Sequence, residues 1–271
     1  MTALLRLTGW ELRKLAAQRR TYLGLVAAAA TPAVMIGTFS FQDKLPMDYP
    51  FGRLLRLNGY STSLVLIGFA AIWLVPLLVS LVAGDIFAAE DANSTWKLIL
   101  SRSVGRSTVF WSKALASAIF SVAVLLTLGF SSILLGGLRF GFGATINLSG
   151  LPVSGGHAFV LTVLSWLLCL PTVLAFTAVG LVLSVVTRNA AAGVVAPVIL
   201  ALAMSLAGAL GGIGATRHYL LTTQFEAFHG MWHTPGYPAQ IWRAVWLPTV
   251  YALVMLGIAA IQFTRRDVTD A

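Results

Sequence analysis

Charged side chains are scarce in this 271-residue sequence. Asp, Glu, Lys and Arg make up 10% of the residues, whereas 58% are apolar and the mean hydropathy is +0.86. This composition excludes a soluble globule and predicts an integral membrane protein. The single cysteine, Cys169, excludes an internal disulfide and lies in an apolar run, where we expect it to pack as a small apolar side chain.

Catalytic motifs are also missing. No G-x-x-x-x-G-K-[ST] phosphate loop occurs, which excludes ATP hydrolysis by that mechanism, and no H-E-x-x-H pair, nucleophile elbow or cysteine cluster indicates a hydrolase. Charges are nearly absent from the middles of the apolar runs, which argues against a proton- or sodium-driven carrier. We therefore expect no enzyme activity and no cofactor in this chain.

What the sequence does contain is a series of long apolar runs. Each run reaches the roughly 20 residues that a helix needs to cross a bilayer. The predicted spans are residues 22–41, 62–84, 114–137, 158–186, 190–214 and 244–263. Five of them contain a proline, which we expect to kink the helix: Pro32, Pro76, Pro171, Pro197 and Pro248. The sequence predicts an all-α protein with one six-span domain, 21–271.

Residues 1–20 have the pattern of an amphipathic helix on the membrane surface. An apolar face is followed around the helix by a stripe of Arg6, Arg13 and Arg20. For the first span, 22–41, the rival interpretation is a secretory signal peptide, since an apolar run follows basic residues, but the later spans disfavour it. A basic anchor that only fixes topology is a second alternative.

The basic residues favour one orientation. Net charge is +9, and 18 residues are Lys or Arg. If both termini are cytoplasmic, twelve of these lie inside: Arg6, Arg13, Lys14, Arg19, Arg20, Lys97, Arg102, Arg106, Lys113, Arg188, Arg265 and Arg266. This is the positive-inside pattern of a multi-pass protein. The clusters flank apolar runs and do not form aromatic-interleaved strips, so we expect no nucleic-acid partner.

One polar stretch, Asp85–Lys113, interrupts the apolar sequence between the second and third spans. Acidic and hydroxyl side chains at its start offer N-cap oxygens for a short semi-apolar helix around Trp96. Lys113 lies where a basic side chain can snorkel as the third span enters lipid. We expect a stiff elbow at the membrane surface.

This stretch resembles the corresponding loop in the permease subunits of ABC-2-type ABC exporters. That family has an acidic residue, a Gly-Thr pair, a leucine-rich coupling helix, a Pro-Val-Ser-Arg turn and a lysine there. The matching residues are Glu90, Ser94-Thr95, Leu98-Ile99-Leu100, Ser103-Val104-Gly105-Arg106 and Lys113. Ser94 and Ser103 replace the usual glycine and proline. The ending Phe263–Val268 also resembles the terminus of the family's last span.

The resemblance implies a permease subunit of an exporter in the plasma membrane. It would pair with a second permease and with two ABC ATPase subunits, which bind ATP and Mg²⁺. The alternative is a non-transporting scaffold or sensor subunit of an ABC-like complex. The resemblance also makes the N-terminal amphipathic helix an elbow that touches the ATPase.

Residue roles are implied in the same way. Glu90 would cap and anchor the coupling helix, the apolar side chains would fill an ATPase groove, and two arginines would pair with acidic groups or lipid phosphates. The implied contact set is Glu90, Asp91, Ser94, Thr95, Trp96, Leu98, Ile99, Leu100, Arg102 and Arg106. Arg188 and Asn189 would form a second cytoplasmic link, and Phe69 and Trp73 would line the substrate path.

A last polar segment precedes the sixth span. His229 and His233 lie one helical turn apart and would form half of a metal site if the segment were helical. The other interpretation is that these rings lie at the lipid headgroup level, which Gly230 and Pro235 favour because both oppose a long helix. Our prediction is no metal site.

Overall fold

The computed structural model describes residues 3–41, 50–96, 105–210 and 214–266, and most of them are helical. The helices are α1 (Ala3–Ala16), α2 (Arg19–Phe41), α3 (Gly59–Ala71), α4 (Leu74–Ala83), α5 (Ala88–Ala92), α6 (Arg106–Phe140), α7 (Gly155–Leu168), α8 (Leu170–Thr187), α9 (Ala190–Ala209), α10 (Leu221–Gln224) and α11 (Pro238–Arg265). Short 3-10 turns cover Gly52–Leu54, Gly214–Tyr219 and Ala227–Met231. A two-stranded antiparallel ribbon joins β1 (Thr145–Ile146) to β2 (Pro152–Val153).

The helices are long enough for a multi-pass membrane protein. Five segments meet the length and hydropathy needed to cross a bilayer: Arg19–Phe41, Arg106–Phe140, Gly155–Thr187, Ala190–Ala209 and Pro238–Arg265. A sixth span exists if α3 and α4, which meet at 62°, count as one. The prediction of an all-α membrane protein is thus confirmed with five or six spans. The predicted second span, 62–84, is broken at Ile72-Trp73 and is not one straight helix.

Prolines mark the starts of helices as well as their interiors. Pro76 lies in the first turn of α4 and Pro171 in the first turn of α8, each just after a break in the helix. A first-turn residue needs no intrahelical N–H bond, so proline costs little there. At these two positions we expected a kink within a continuous helix, but the structure has the start of a new helix. Pro32, Pro197 and Pro248 do lie within helices.

Several helix ends differ from the sequence prediction. The N-terminal helix ends at Ala16, and Arg19 and Arg20 belong to α2. Helix α6 begins at residue 106, eight residues before the predicted span, because the polar residues there continue the helix beyond the apolar run. Hydropathy measures the membrane-spanning part of a helix and not the whole helix, which explains the difference.

The bundle has two ends. At the charged end, α4, α5 and α6 approach α1, the α8–α9 link and the end of α11. At the opposite end lie residues 50–58, 141–154 and 214–237, where the Leu148 N–H donates to the Trp232 carbonyl at 2.9 Å. Buried hydroxyls join the helices between these ends: Ser63 and Ser132 lie 2.6 Å apart, and Thr177 and Ser121 lie 2.7 Å apart.

Helix α9 packs against the end of α4 through two glycines. A Cβ on either Gly84 or Gly193 would lie closer than 3.0 Å to the backbone of the other. Backbone atoms cannot rotate away as side chains do, so any side chain here separates the helices. These glycines thus fix how α9 meets the polar segment that follows α4.

We predict that Gly193→Ala lowers the thermal unfolding midpoint of the purified protein, because overpacking of this kind costs about 1–3 kcal/mol. The matched control is Gly257→Ala in α11, where a Cβ would have no neighbour within 4 Å. That variant should be unchanged or slightly more stable, because alanine is the better helix former. Equal midpoints for the two variants would contradict the close glycine contact.

Candidate functional site

The acidic segment, residues 85–96, contains three carboxylates, and each is paired with a cation from another part of the chain. The partners come from α1, α2, α6 and the residue that follows α11. The ion pairs are Asp85–Arg20, Glu90–Lys14, Glu90–Lys113 and Asp91–Arg266. Residues that are far apart in sequence therefore meet at one place on the charged end.

Lys113 is the centre of this network. Its side chain has no exposed surface, and its Nζ lies 2.9 Å from Glu90 Oε1 and 3.1 Å from Glu11 Oε1. The same atom donates to the Ile86 carbonyl at 3.3 Å. It also lies 5.8 Å from the ring centre of Trp96. The expectation that Lys113 snorkels to the surface is wrong, because two carboxylates and a carbonyl satisfy it inside the protein.

The network holds Glu90 in its charged form. Burial raises the pKa of the Glu90 carboxyl, but the charge of Lys113 and hydrogen bonds from Lys14, Thr95 and Lys113 outweigh burial and lower the pKa from 4.5 to about 2. A carboxyl with a lowered pKa stabilises the fold above its ordinary pKa, and this contribution disappears as the pH falls toward 2. The network is therefore complete at neutral pH.

Helix α5 begins without a cap from its own side chains. The backbone N–H groups of Phe87 and Ala88 donate to Ser184 Oγ in α8, at 3.2 and 3.0 Å. Glu90 itself lies inside α5, where its carboxylate binds lysines. The predicted coupling helix, for which Glu90 would be the cap, continues beyond Trp96 and lies outside the described residues. Ser184 provides the oxygen that a helix start needs. This bond ties the acidic segment to α8.

Trp96 lies inside the chain's own aromatic cluster. Its ring is 2% exposed and packs on Phe263 at 5.1 Å and on Phe87 at 6.2 Å. Its Nε1 donates to Asp91 Oδ1 at 3.1 Å. The implied role of Trp96 in filling a partner's groove is thus not possible in this conformation, because Phe87 and Phe263 already cover it.

The turn before Trp96 has an unusual backbone. Ser94 is exposed, and its φ of 52° lies in the left-handed region that favours glycine. The next residue, Thr95, bonds back to Glu90 through its N–H and its hydroxyl. The chain therefore reverses tightly between α5 and Trp96.

Arg106 and Arg266 close the end of the last helix. Arg106 Nη1 donates to the carbonyls of Thr264, at 3.2 Å, and of Arg266, at 2.6 Å. Terminal helix carbonyls lack intrahelical donors, and a cation near them is favourable. We expected Arg106 to bind acidic groups or lipid phosphates, but it binds these backbone carbonyls. Arg266 binds Asp91.

The second predicted link has the geometry of a tight helical hairpin. Arg188 has φ = 54° and ends α8, and the Asn189 side chain accepts from the N–H groups of Ala191 and Ala192 at the start of α9. Both residues are exposed. They lie at the charged end, since α9 begins beside Gly84.

Four of the remaining predicted residues are outside the described residues: Leu98, Ile99, Leu100 and Arg102. Phe69 and Trp73 flank the α3–α4 break and are each 40% exposed.

The two histidines lie at the opposite end of the bundle. His229 packs against Phe51 and Phe228, whereas His233 packs against Tyr237. Within the part of the chain that the structure describes, no three His, Cys, Asp or Glu side chains form a group that could hold a metal ion.

Sequence reasoning missed three cations that bind the acidic segment, Lys14, Arg20 and Arg266. It also missed Glu11, the α1 carboxylate that binds Lys113. The sequence pattern predicts only a basic surface helix over residues 1–20 and a basic end after the last span. One signal was available: three of the nine acidic residues lie within seven positions, beside spans whose ends carry basic residues. The segment is thus the place where ion pairs join parts of the chain that are far apart in sequence.

We predict that Lys113→Met lowers protein stability by about 3–5 kcal/mol, because it leaves buried carboxylates without their main cation. Lys14→Met is the matched control, since Lys14 binds the same Glu90 oxygen from a side chain that is 48% exposed. The control should cost about 1 kcal/mol or less. Denaturation of both variants in one detergent measures the difference, and equal losses would show that Lys113 is not the centre of the network.

The family comparison covers most of these elements. No curated protein matches the sequence. The family model described as "Protein of unknown function (DUF2705)" matches residues 26–269, from α2 to beyond α11. Because this match spans most of the chain, the protein belongs to the DUF2705 family.

Proposed function

We propose that this protein is the permease subunit of an ATP-driven exporter of the ABC-2 type in the plasma membrane. It works with a second permease and with two ABC ATPase subunits that bind ATP and Mg²⁺. The observation that carries this proposal is the acidic segment, since each major helix that reaches the charged end bonds to it or packs on it. A force applied to this loop is therefore transmitted to the whole bundle.

The contacts define the mechanical path. Asp85 is tied to α2, Glu90 to α1 and α6, and Asp91 to the end of α11. Ser184 joins α5 to α8, and the Gly84–Gly193 contact joins the same region to α9. A loop that only connected two spans would not need partners from five other elements.

The resemblance to the exporter loop is supported by one backbone angle. Ser94 stands where that family has glycine, and its φ of 52° is the conformation that glycine adopts without strain. The sequence that follows Trp96 is the apolar Leu98-Ile99-Leu100. We propose that these three residues, and not Trp96, supply the apolar contact with the ATPase.

Orientation follows from the same arrangement. The basic residues that flank the charged end, from Arg6 in α1 to Arg266, favour the cytoplasmic side by the positive-inside rule. We propose that both termini and the acidic segment face the cytoplasm, where the ATPases are. Arg188 and Asn189 then form a second, exposed contact on the same side.

We predict that Leu98→Asp and Ile99→Asp abolish co-purification with the co-expressed ABC ATPase and lower export, because a carboxylate in an apolar contact loses about 1.5–3 kcal/mol of burial and adds an unpaired charge. The matched control is Asn93→Asp, which puts the same group on an exposed residue of the same loop. It should keep both properties.

The assay also separates the exporter from the scaffold or sensor alternative. The chain alone should not hydrolyse ATP, and the complex in vesicles should couple ATP turnover to substrate movement. A complex that hydrolyses ATP but moves nothing across the membrane would favour the scaffold. If the Leu98→Asp and Ile99→Asp variants both still co-purified with the ATPase, the proposed contact would be contradicted.

A further inference from the structure

Two cavities at the opposite end of the bundle share one wall. The first has a volume of about 260 Å³ and lies among the polar residues between Arg217 and Arg243. The second has about 460 Å³ and reaches inward along Leu64, Val65 and Gly68 of α3. Arg217, Glu226 and His229 line both. Small-molecule sites in proteins have volumes of roughly 300–1,000 Å³, so the pair is of suitable size.

The first cavity is cationic. With histidines counted as neutral, the described residues of its lining carry two guanidinium groups, Arg217 and Arg243, and one carboxylate, Glu226. The Arg217–Glu226 pair is long, with 4.0 Å between Nη2 and Oε2. Burial raises the pKa of Glu226, with Arg217 opposing this effect. One carboxylate held this weakly does not neutralise both arginines.

Of the two arginines in the first cavity, Arg243 has no partner among the residues that the structure describes. It is half-buried at the start of α11, and among residues 3–41, 50–96, 105–210 and 214–266 no ion pair or hydrogen bond engages its side chain. A partly desolvated guanidinium is strongly stabilised when it binds an anion through two of its N–H groups. The cavity therefore offers a cation where an anionic group is missing.

The second cavity is lined on one side by apolar residues. Phe51, Leu64, Val65 and Gly68 form this side, whereas Arg217, Glu226 and His229 form the side that it shares with the first cavity. The His229 ring stacks on Phe51 at 6.0 Å. Burial and the nearby His233 lower the pKa of His229 to about 4, so its ring is neutral at pH 7 and adds no charge. A bound molecule would thus meet a cationic head site and an apolar body site.

We propose that these cavities bind an amphiphilic anion, with a carboxylate or phosphate head between Arg217 and Arg243 and an apolar chain along α3. The inference rests on the proposed function, because it names the chemical class of the exported substrate. Phe69 follows Gly68 directly and Trp73 lies one turn further, at the α3–α4 break.

The test is equilibrium binding of radiolabelled decanoate to the full chain in phosphatidylcholine nanodiscs, with empty nanodiscs as the lipid background. We expect saturable binding that excess decanoate or decyl phosphate displaces and that decanol or decylamine does not. Displacement by decanol as effective as that by decanoate would overturn the proposal, since the head group would then not matter. Absence of saturable binding up to millimolar decanoate would overturn it too.

Variants locate the site. Arg243→Gln and Arg217→Gln should each weaken decanoate binding at least about tenfold, the loss expected for a charge-assisted hydrogen bond. Glu226→Gln should strengthen binding, because it removes the one carboxylate among the described residues that line the first cavity. The matched control is Arg139→Gln, at the same end of the bundle but bonded to Ser40 outside both cavities. Unchanged affinity in both cavity arginine variants would overturn the site.

A further arm identifies the source of the anion. Displacement by dihexanoyl phosphatidylglycerol, but not by dihexanoyl phosphatidylcholine, would assign the site to an anionic lipid head group. Displacement by single-chain anions alone would assign it to a free substrate. The binding assay needs neither the ATPase nor ATP, so a failure here leaves the exporter proposal intact. Conversely, decanoate binding would persist if the ATPase coupling failed.

Discussion

The buried ammonium group of Lys113 is the constraint on which the charged end depends. A lysine without exposed surface is unfavourable by several kcal/mol unless nearby groups replace its water. Glu90, Glu11 and the Ile86 carbonyl do so, and they belong to two different parts of the chain, the acidic segment and α1. The position of α1 against α6 and that of the acidic segment are thus set together, because moving any one of them leaves a buried charge unpaired.

Hydropathy alone predicted the membrane class, and the positions of the spans followed from the lengths of the apolar runs. The position of the break in the second span did not follow, because we expected a kink at Pro76, whereas the helix stops at Ile72-Trp73 and restarts with Pro76 in its first turn. The partners of Lys113 could not be predicted either. Glu11 is 102 residues away, and such a contact depends on tertiary packing and not on local spacing.

The two ends of the bundle have opposite electrostatic designs. At the charged end the carboxylates of the acidic segment all have cations, so the junction is stiff and neutralised internally. At the opposite end Arg243 lacks a partner among the described residues, and its cavity stays open to a ligand. Helices α3 and α4, with their 62° bend, run between these regions. This geometry suits a protein in which a movement imposed at one end alters a binding site at the other.

The coupling free energy between Glu90 and Lys113 tests the central claim most directly. A double-mutant cycle of wild type, Glu90→Gln, Lys113→Met and the double variant isolates it from the loss of other contacts. We predict that the double variant loses less free energy of unfolding than the two single variants lose in total. The difference should be at least about 1.5 kcal/mol, as for other close charge pairs. Additive losses, within about 0.5 kcal/mol, would contradict a junction built on this ion pair.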